Sequence, residues 1–112
     1  MGEADDGHSR KARDLYAVHV TLLEGFRSHA VVITLNDRTV YDAIDVTTDP
    51  ATSHADALAL RAASSIARLT VSVMPGPLTA AFDLDIATRP YVGISLVGEG
   101  TLAFETSAVP FS

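Results

Sequence analysis

Residues 69–86 read LTVSVMPGPLTAAFDLDI, and their alternation decides the fold class. Leu69, Val71 and Val73 alternate with Thr70 and Ser72, while Leu78, Ala80, Phe82, Leu84 and Ile86 alternate with Thr79, Ala81, Asp83 and Asp85. A period of two puts the branched and aromatic groups on one face of an extended chain and the small or polar groups on the other, as a half-buried strand requires. Between the two runs stands Pro75-Gly76-Pro77, which marks a turn.

The same period continues in both directions. Val92, Ile94 and Leu96 alternate with Gly93 and Ser95, and Leu102 and Phe104 with Ala103 and Glu105, with Arg89-Pro90 and Gly98-Glu99-Gly100 as turn signals. Toward the N-terminus, Tyr16, Val18, Val20 and Leu22 share one face. Ala30–Leu35 is a β-branched run that passes through Asn36-Asp37 into Thr39–Ile44, the second arm of a hairpin. Loops of about two to four residues all fit there, so the register stays open. Strands at about 8–12-residue spacing predict an all-β chain, an antiparallel β-sandwich (immunoglobulin-like or related) of about 7–8 strands.

One segment reads two ways. Ser53-His54-Ala55-Asp56 can cap a helix on which Leu58, Ala62, Ile66 and Leu69 share a face, giving a single short helix near 54–67. Leu58, Leu60 and Ala62 also alternate, and Ala63-Ser64-Ser65 makes a turn, so a short strand over 57–62 is the preferred expectation.

At 112 residues the chain is the size of one domain and can bury about two-thirds of its unfolded surface, enough for a core without metal or disulfide staples. Hydrophobic residues at 47% and charged residues at 20% exclude wholesale disorder. Eight basic against 14 acidic residues give net −6, which argues against a nucleic-acid partner, because phosphate neutralisation supplies most of that affinity. Cysteine is absent, so disulfides, thiolate catalysis, iron–sulfur clusters and Cys-ligated zinc are excluded, and a reducing compartment is favoured. Residues 1–14 mix charges with two glycines and have no large aliphatic side chain after Met1, which predicts a flexible charged tail ahead of a single domain over 15–112. The start, Met1-Gly2-Glu3-Ala4-Asp5-Asp6, lacks an apolar signal region, and Asp6 stands where N-myristoylation requires Ser or Thr. No apolar run approaches the roughly 20 residues of a membrane span. The expectation is a soluble, cytoplasmic protein without a membrane partner.

Several side chains invite chemistry. Asp45, Asp49, His54 and Asp56, with Asp42 nearby, surround the longest connection, 45–56, where Thr47, Thr48, Thr52 and Ser53 add oxygens. A hard cation such as Ca²⁺ takes such ligands, although the spacing matches no calcium-loop pattern. The competing reading makes Thr48-Asp49-Pro50 a turn and leaves the remaining acids to capping or to solvent. Asp42 falls by simple alternation on the apolar face with Val40 and Ile44, where burial would raise its pKa and fit it for acid catalysis. A β-bulge or an edge position would take it to water instead. His19 and His29, if on neighbouring antiparallel strands, can come within metal-binding or acid–base reach, with Ser28 beside His29. No Gly-x-Ser-x-Gly elbow accompanies them. Gly93, with Tyr91 and Ser95, forms a small-polar strip beside Thr79, Ala81, Ala103 and Glu105, suited to a docking partner or to water. Without Trp, and with only Tyr16, Tyr41 and Tyr91, the chain lacks the rings of a sugar-binding face. Phosphate-cradling glycine motifs are absent too.

The Val31–Thr39 hairpin with Asn36-Asp37, the Val46-Thr47-Thr48 loop, and the closing strand Tyr91–Leu96 with its Gly98–Gly100 turn are similar to features of small bacterial immunoglobulin-like or prealbumin-like sandwich modules over Leu15–Phe111. The resemblance lies in architecture, implies a binding or scaffolding role, and transfers no site residues. The expected function is therefore non-catalytic, by protein–protein contact as a small accessory subunit, a homo-oligomer or both, with no cofactor. Open sheet edges and the apolar Ala108-Val109-Pro110-Phe111 provide the contact surfaces. Two other classes stand beside it: a small-ligand or divalent-cation domain using the 45–56 loop, and a small enzyme using His19, His29 or Asp42.

Overall fold

The computed structural model describes residues 16–75, 77–98 and 100–111. The charged segment 1–14 lies outside them. Eight strands follow one another, β1 (Tyr16–Leu22), β2 (His29–Leu35), β3 (Arg38–Val46), β4 (Asp56–Ala62), β5 (Ile66–Met74), β6 (Leu78–Asp85), β7 (Tyr91–Val97) and β8 (Thr101–Ser107). They form two four-stranded sheets, ordered β4-β1-β7-β8 and β3-β2-β5-β6. Every neighbouring pair is antiparallel except β1 and β7, which run parallel with Val20 opposite Val92 and Leu22 opposite Ile94. This is the all-β sandwich that the alternation predicts.

The core lies between the sheets. Val18, Val20 and Leu22 from β1 and Val92 and Ile94 from β7 meet Val31, Ile33, Leu69, Val71 and Val73 from the opposite sheet, all fully buried. No polar or charged residue is buried among the described residues, so this interior is held by apolar burial alone. At one lateral corner the Phe82 and Phe104 rings of β6 and β8 pack with centroids 3.8 Å apart. At the opposite corner the Tyr41 hydroxyl of β3 donates to Asp56 Oδ2 of β4 at 2.6 Å.

The β2–β3 hairpin closes through a two-residue turn: Leu35 pairs with Arg38, and Asn36 and Asp37 take φ of 51° and 67°. Two successive positive φ values match the right-handed strand twist, which is why Asn-Asp serves here. Asn36 also ties the turn to β5, donating its N–H to Arg68 O at 2.8 Å and accepting the Arg68 N–H on Oδ1 at 2.9 Å.

Strand β3 departs from simple alternation. Its register against β2 slips between Ile33 and Thr34, where Val40 is the extra residue, and again between His29 and Val31, close to Asp45 at φ 58°. Each slip exchanges the two faces. Tyr41 and Ala43 consequently turn toward the core while Asp42 and Ile44 face out, Ile44 being 80% exposed. Asp42 does not share the apolar face that unbroken alternation assigns to it.

The short helix near 54–67 does not form. Residues 56–62 are strand β4, with Leu58 opposite Val20 and Leu60 opposite Val18, and β5 begins at Ile66 after the bend at 63–65. A helix would have placed Ile66 on its apolar face, yet Ile66 is 57% exposed. Pairing along β1 buries Leu58, Leu60 and Ala62 while satisfying a row of backbone groups, and that outweighs the helix propensity of an Ala-rich run.

The Tyr41–Asp56 contact carries a pH prediction. Burial, then the hydrogen bond and negative charge of Asp56, push the Tyr41 hydroxyl well above the ordinary tyrosine range. The folded state holds this proton more tightly than the unfolded chain does. The stabilisation is therefore complete below the unfolded value of about 10 and falls as pH rises above it. Urea midpoints measured at near-neutral and at strongly alkaline pH should show a larger alkaline loss in the wild type than in Tyr41→Phe. Equal losses would show that the hydroxyl does not contribute.

Candidate functional site at the loop end

Strand directions gather four connections at one end of the sandwich: 23–28, 47–55, 75–77 and 98–100. The 23–28 connection is the centre of this end. Leu23 N–H donates to Ile94 O at 2.7 Å and Leu96 N–H to Glu24 O at 2.8 Å, extending the β1–β7 pairing into the loop. Phe26 then turns inward and stoppers the core at 1% exposure. Thr48 locks it from the neighbouring loop: its Oγ1 accepts the Phe26 N–H at 3.1 Å and donates to Leu23 O at 2.6 Å, while its own N–H donates to Phe26 O at 2.8 Å. Thr47 Oγ1 accepts the Ser28 N–H at 2.9 Å, with Ser28 at φ 58°.

Gly25 allows this close packing. It sits at φ 96°, and a Cβ there would lie 1.8 Å from the Leu96 carbonyl oxygen. No residue with a side chain fits.

The candidate metal ligands occupy the same end, where the carboxylates of Asp49 and Asp56 are engaged locally. Asp49 and His54 form a backbone bridge, with Asp49 N–H donating to His54 O at 2.9 Å. Asp49 O accepts from Ser53 N–H at 2.7 Å, and Asp49 Oδ1 accepts the Ala51 N–H at 2.8 Å, the bond pattern of an Asx turn. Asp56 divides its carboxylate between Tyr41 and the Ala57 N–H. Asp45 stands exposed at the second β3 irregularity. No group of three or more His, Asp or Glu side chains placed to hold a metal ion occurs among the described residues.

The histidines separate. His19 is on β1 and His29 on β2, which belong to different sheets, so the neighbouring-strand pairing does not arise. His19 stacks on Tyr91, its partner across the parallel pair, with centroids 4.9 Å apart and planes at 16°. His29 accepts the Arg27 N–H on Nδ1 at 2.8 Å and stands edge-on to Phe26. The strip around Gly93 also divides. Gly93, Tyr91, Ser95, Ala103 and Glu105 share the outer face of the β4-β1-β7-β8 sheet, whereas Thr79 and Ala81 belong to β6 of the other. The chain's own C-terminal segment returns over Gly93: a Cβ there would meet Leu23 Cδ1 at 2.8 Å and Phe111 Cζ at 3.1 Å. Phe111 thus covers Gly93, while Ala103 and Glu105 stay exposed.

Loop residues 24–27 border three adjoining clefts. One, of about 500 Å³, is lined by Gly25, Arg27, His29, Pro75, Leu78, Leu96 and Gly98. Neither Gly25 nor Arg27 stands out in the sequence as a site residue. The available signal was the Glu24-Gly25-Phe26-Arg27 run itself, in which a large aromatic interrupts an otherwise polar loop. No helix among the described residues is long and apolar enough to cross a membrane. A scan of protein-family models and searches of curated proteins and of solved structures gave no match to this chain.

Proposed function

We propose that the chain is a non-catalytic β-sandwich module that works by protein–protein contact, as an accessory subunit, a homo-oligomer or both. The observation that carries this reading is the edge formed by β8. Its seven residues pair with β7 in unbroken register, contain no Pro, Lys or Arg, and carry one charge, Glu105. Edges that must stay unpaired are usually bulged or charged, as β3 is here with its two irregularities and Arg38, Asp42 and Asp45. An antiparallel strand from another chain added along β8 would extend the sheet by main-chain hydrogen bonds. Outward-facing Ile44, 80% exposed, and Met74, 50% exposed, add apolar contact area on the other sheet.

The strand order supports the prealbumin-like form of the resemblance over the immunoglobulin-like one. In an immunoglobulin sandwich the first two strands share a sheet, whereas β1 and β2 here belong to opposite sheets. The cysteine-free composition fits a cytoplasmic setting.

Light scattering on the purified chain tests the proposal. The wild type should exceed monomer mass, and Thr101→Lys with Ala103→Lys should return it to a monomer that keeps the wild-type circular dichroism spectrum. A strict monomer, together with a pull-down from native extract that recovers nothing, would defeat it.

A further inference from the structure

We propose that the cleft between Arg27, His29 and Leu96 is a binding site for an aliphatic carboxylate. Three observations converge on that chemistry. First, the cleft is about 500 Å³, within the range of about 300–1,000 Å³ typical of small-molecule sites. Gly98 borders it on open space, since a Cβ built there meets nothing within 4 Å. Second, Pro75, Leu78 and Leu96 present apolar surface to an occupant, so a purely polar ion would leave that surface unused. Third, the polar groups are both donors. Arg27 is the charged residue lining the cleft among the described residues, and no ion pair engages it there, whereas Arg68 lies 3.9 Å from Asp83. His29 accepts the Arg27 N–H on Nδ1, and the neutral ring then carries its proton on Nε2.

A guanidinium fork matches a carboxylate in shape, and one formal positive charge balances one negative charge. A phosphate dianion on a chain of net −6 would need more cations than this cleft supplies. The aliphatic acid can be a free metabolite or the C-terminus of another chain, and both present the same group to Arg27. The site is independent of the β8 edge, so either proposal can fail alone.

Backbone amide NMR shifts on the full chain test the site, with 4-methylpentanoate as the free acid, N-acetyl-leucine as the chain-end mimic, and 4-methylpentanamide and inorganic phosphate as controls. At least one of the two acids should shift Arg27, His29, Leu78 and Leu96 with millimolar affinity, and tighter binding by one acid identifies the source. Arg27→Gln, at an exposed position, should weaken that binding at least tenfold while leaving Tm unchanged. Equal binding by the amide or by phosphate, undiminished binding in Arg27→Gln, or no shifts with either acid would each overturn the assignment.

Discussion

Gly25→Ala is expected to cost on the order of 4 kcal/mol, at the severe end of single substitutions. The reason is local and steric. The added Cβ would fall 1.8 Å from the Leu96 carbonyl oxygen, and φ at this position is 96°. A backbone oxygen cannot rotate away like a side-chain end, and this stretch of backbone is also pinned by the bond from Leu96 N–H to Glu24 O. Relief requires pulling the 23–28 connection off β7. Gly98→Ala separates the two contributions, since Gly98 has a positive φ of 60° but open space around it. It should lose only the left-handed backbone penalty of about 1–2 kcal/mol. Urea unfolding midpoints measure both. Equal losses in the two variants would show that the approach to Leu96 is not what requires glycine at position 25. With total stabilities of about 5–15 kcal/mol for domains in general, Gly25→Ala should leave a protein that unfolds readily on mild heating.

Phe26→Ala should cost about 3–5 kcal/mol, the usual range for removing a fully buried phenylalanine. Its ring closes the loop end of the core at 1% exposure, and nothing else among the loop residues is large enough to fill the space. Truncation leaves a cavity beneath residues whose backbone bonds to Thr48 hold the loop. The expected Tm decrease exceeds about 10 °C, at roughly 4–8 °C per kcal/mol for a domain of this size. Phe26→Leu should recover about half of the loss, because most of the apolar volume returns. If Phe26→Ala melts as the wild type does, the loop is not anchored through its ring, and the cleft beside Arg27 has no rigid wall.

The alternation of residues 69–86 was sufficient to identify two of the eight strands and the sandwich class, because a side-chain period of two is imposed by extended backbone geometry whatever surrounds it. The same rule failed on β3. There the two irregularities were written only weakly in Val40 and Asp45, and Asp42 lies on the face opposite the one simple alternation gives, as the bulge-or-edge reading has it. The candidate site was less legible. Arg27 and His29 line one cleft and are joined by the bond from the Arg27 N–H to His29 Nδ1, whereas His19 and His29, the pair the sequence suggests, belong to different sheets.

Taken alone, the order of residues determined the strand-forming runs and the place of the turn at Asn36-Asp37, since these depend on interactions within a few positions or on the alternation of polarity. Tertiary structure decided which strands are neighbours, including the parallel pairing of β1 with β7, and chose strand over helix at 56–62. It also decided which glycine has no substitute, by bringing Gly25 against the Leu96 carbonyl across seventy-one positions of chain (96 − 25). Such choices follow from distant segments competing for the same buried surface and backbone partners. No local pattern records the outcome of that competition.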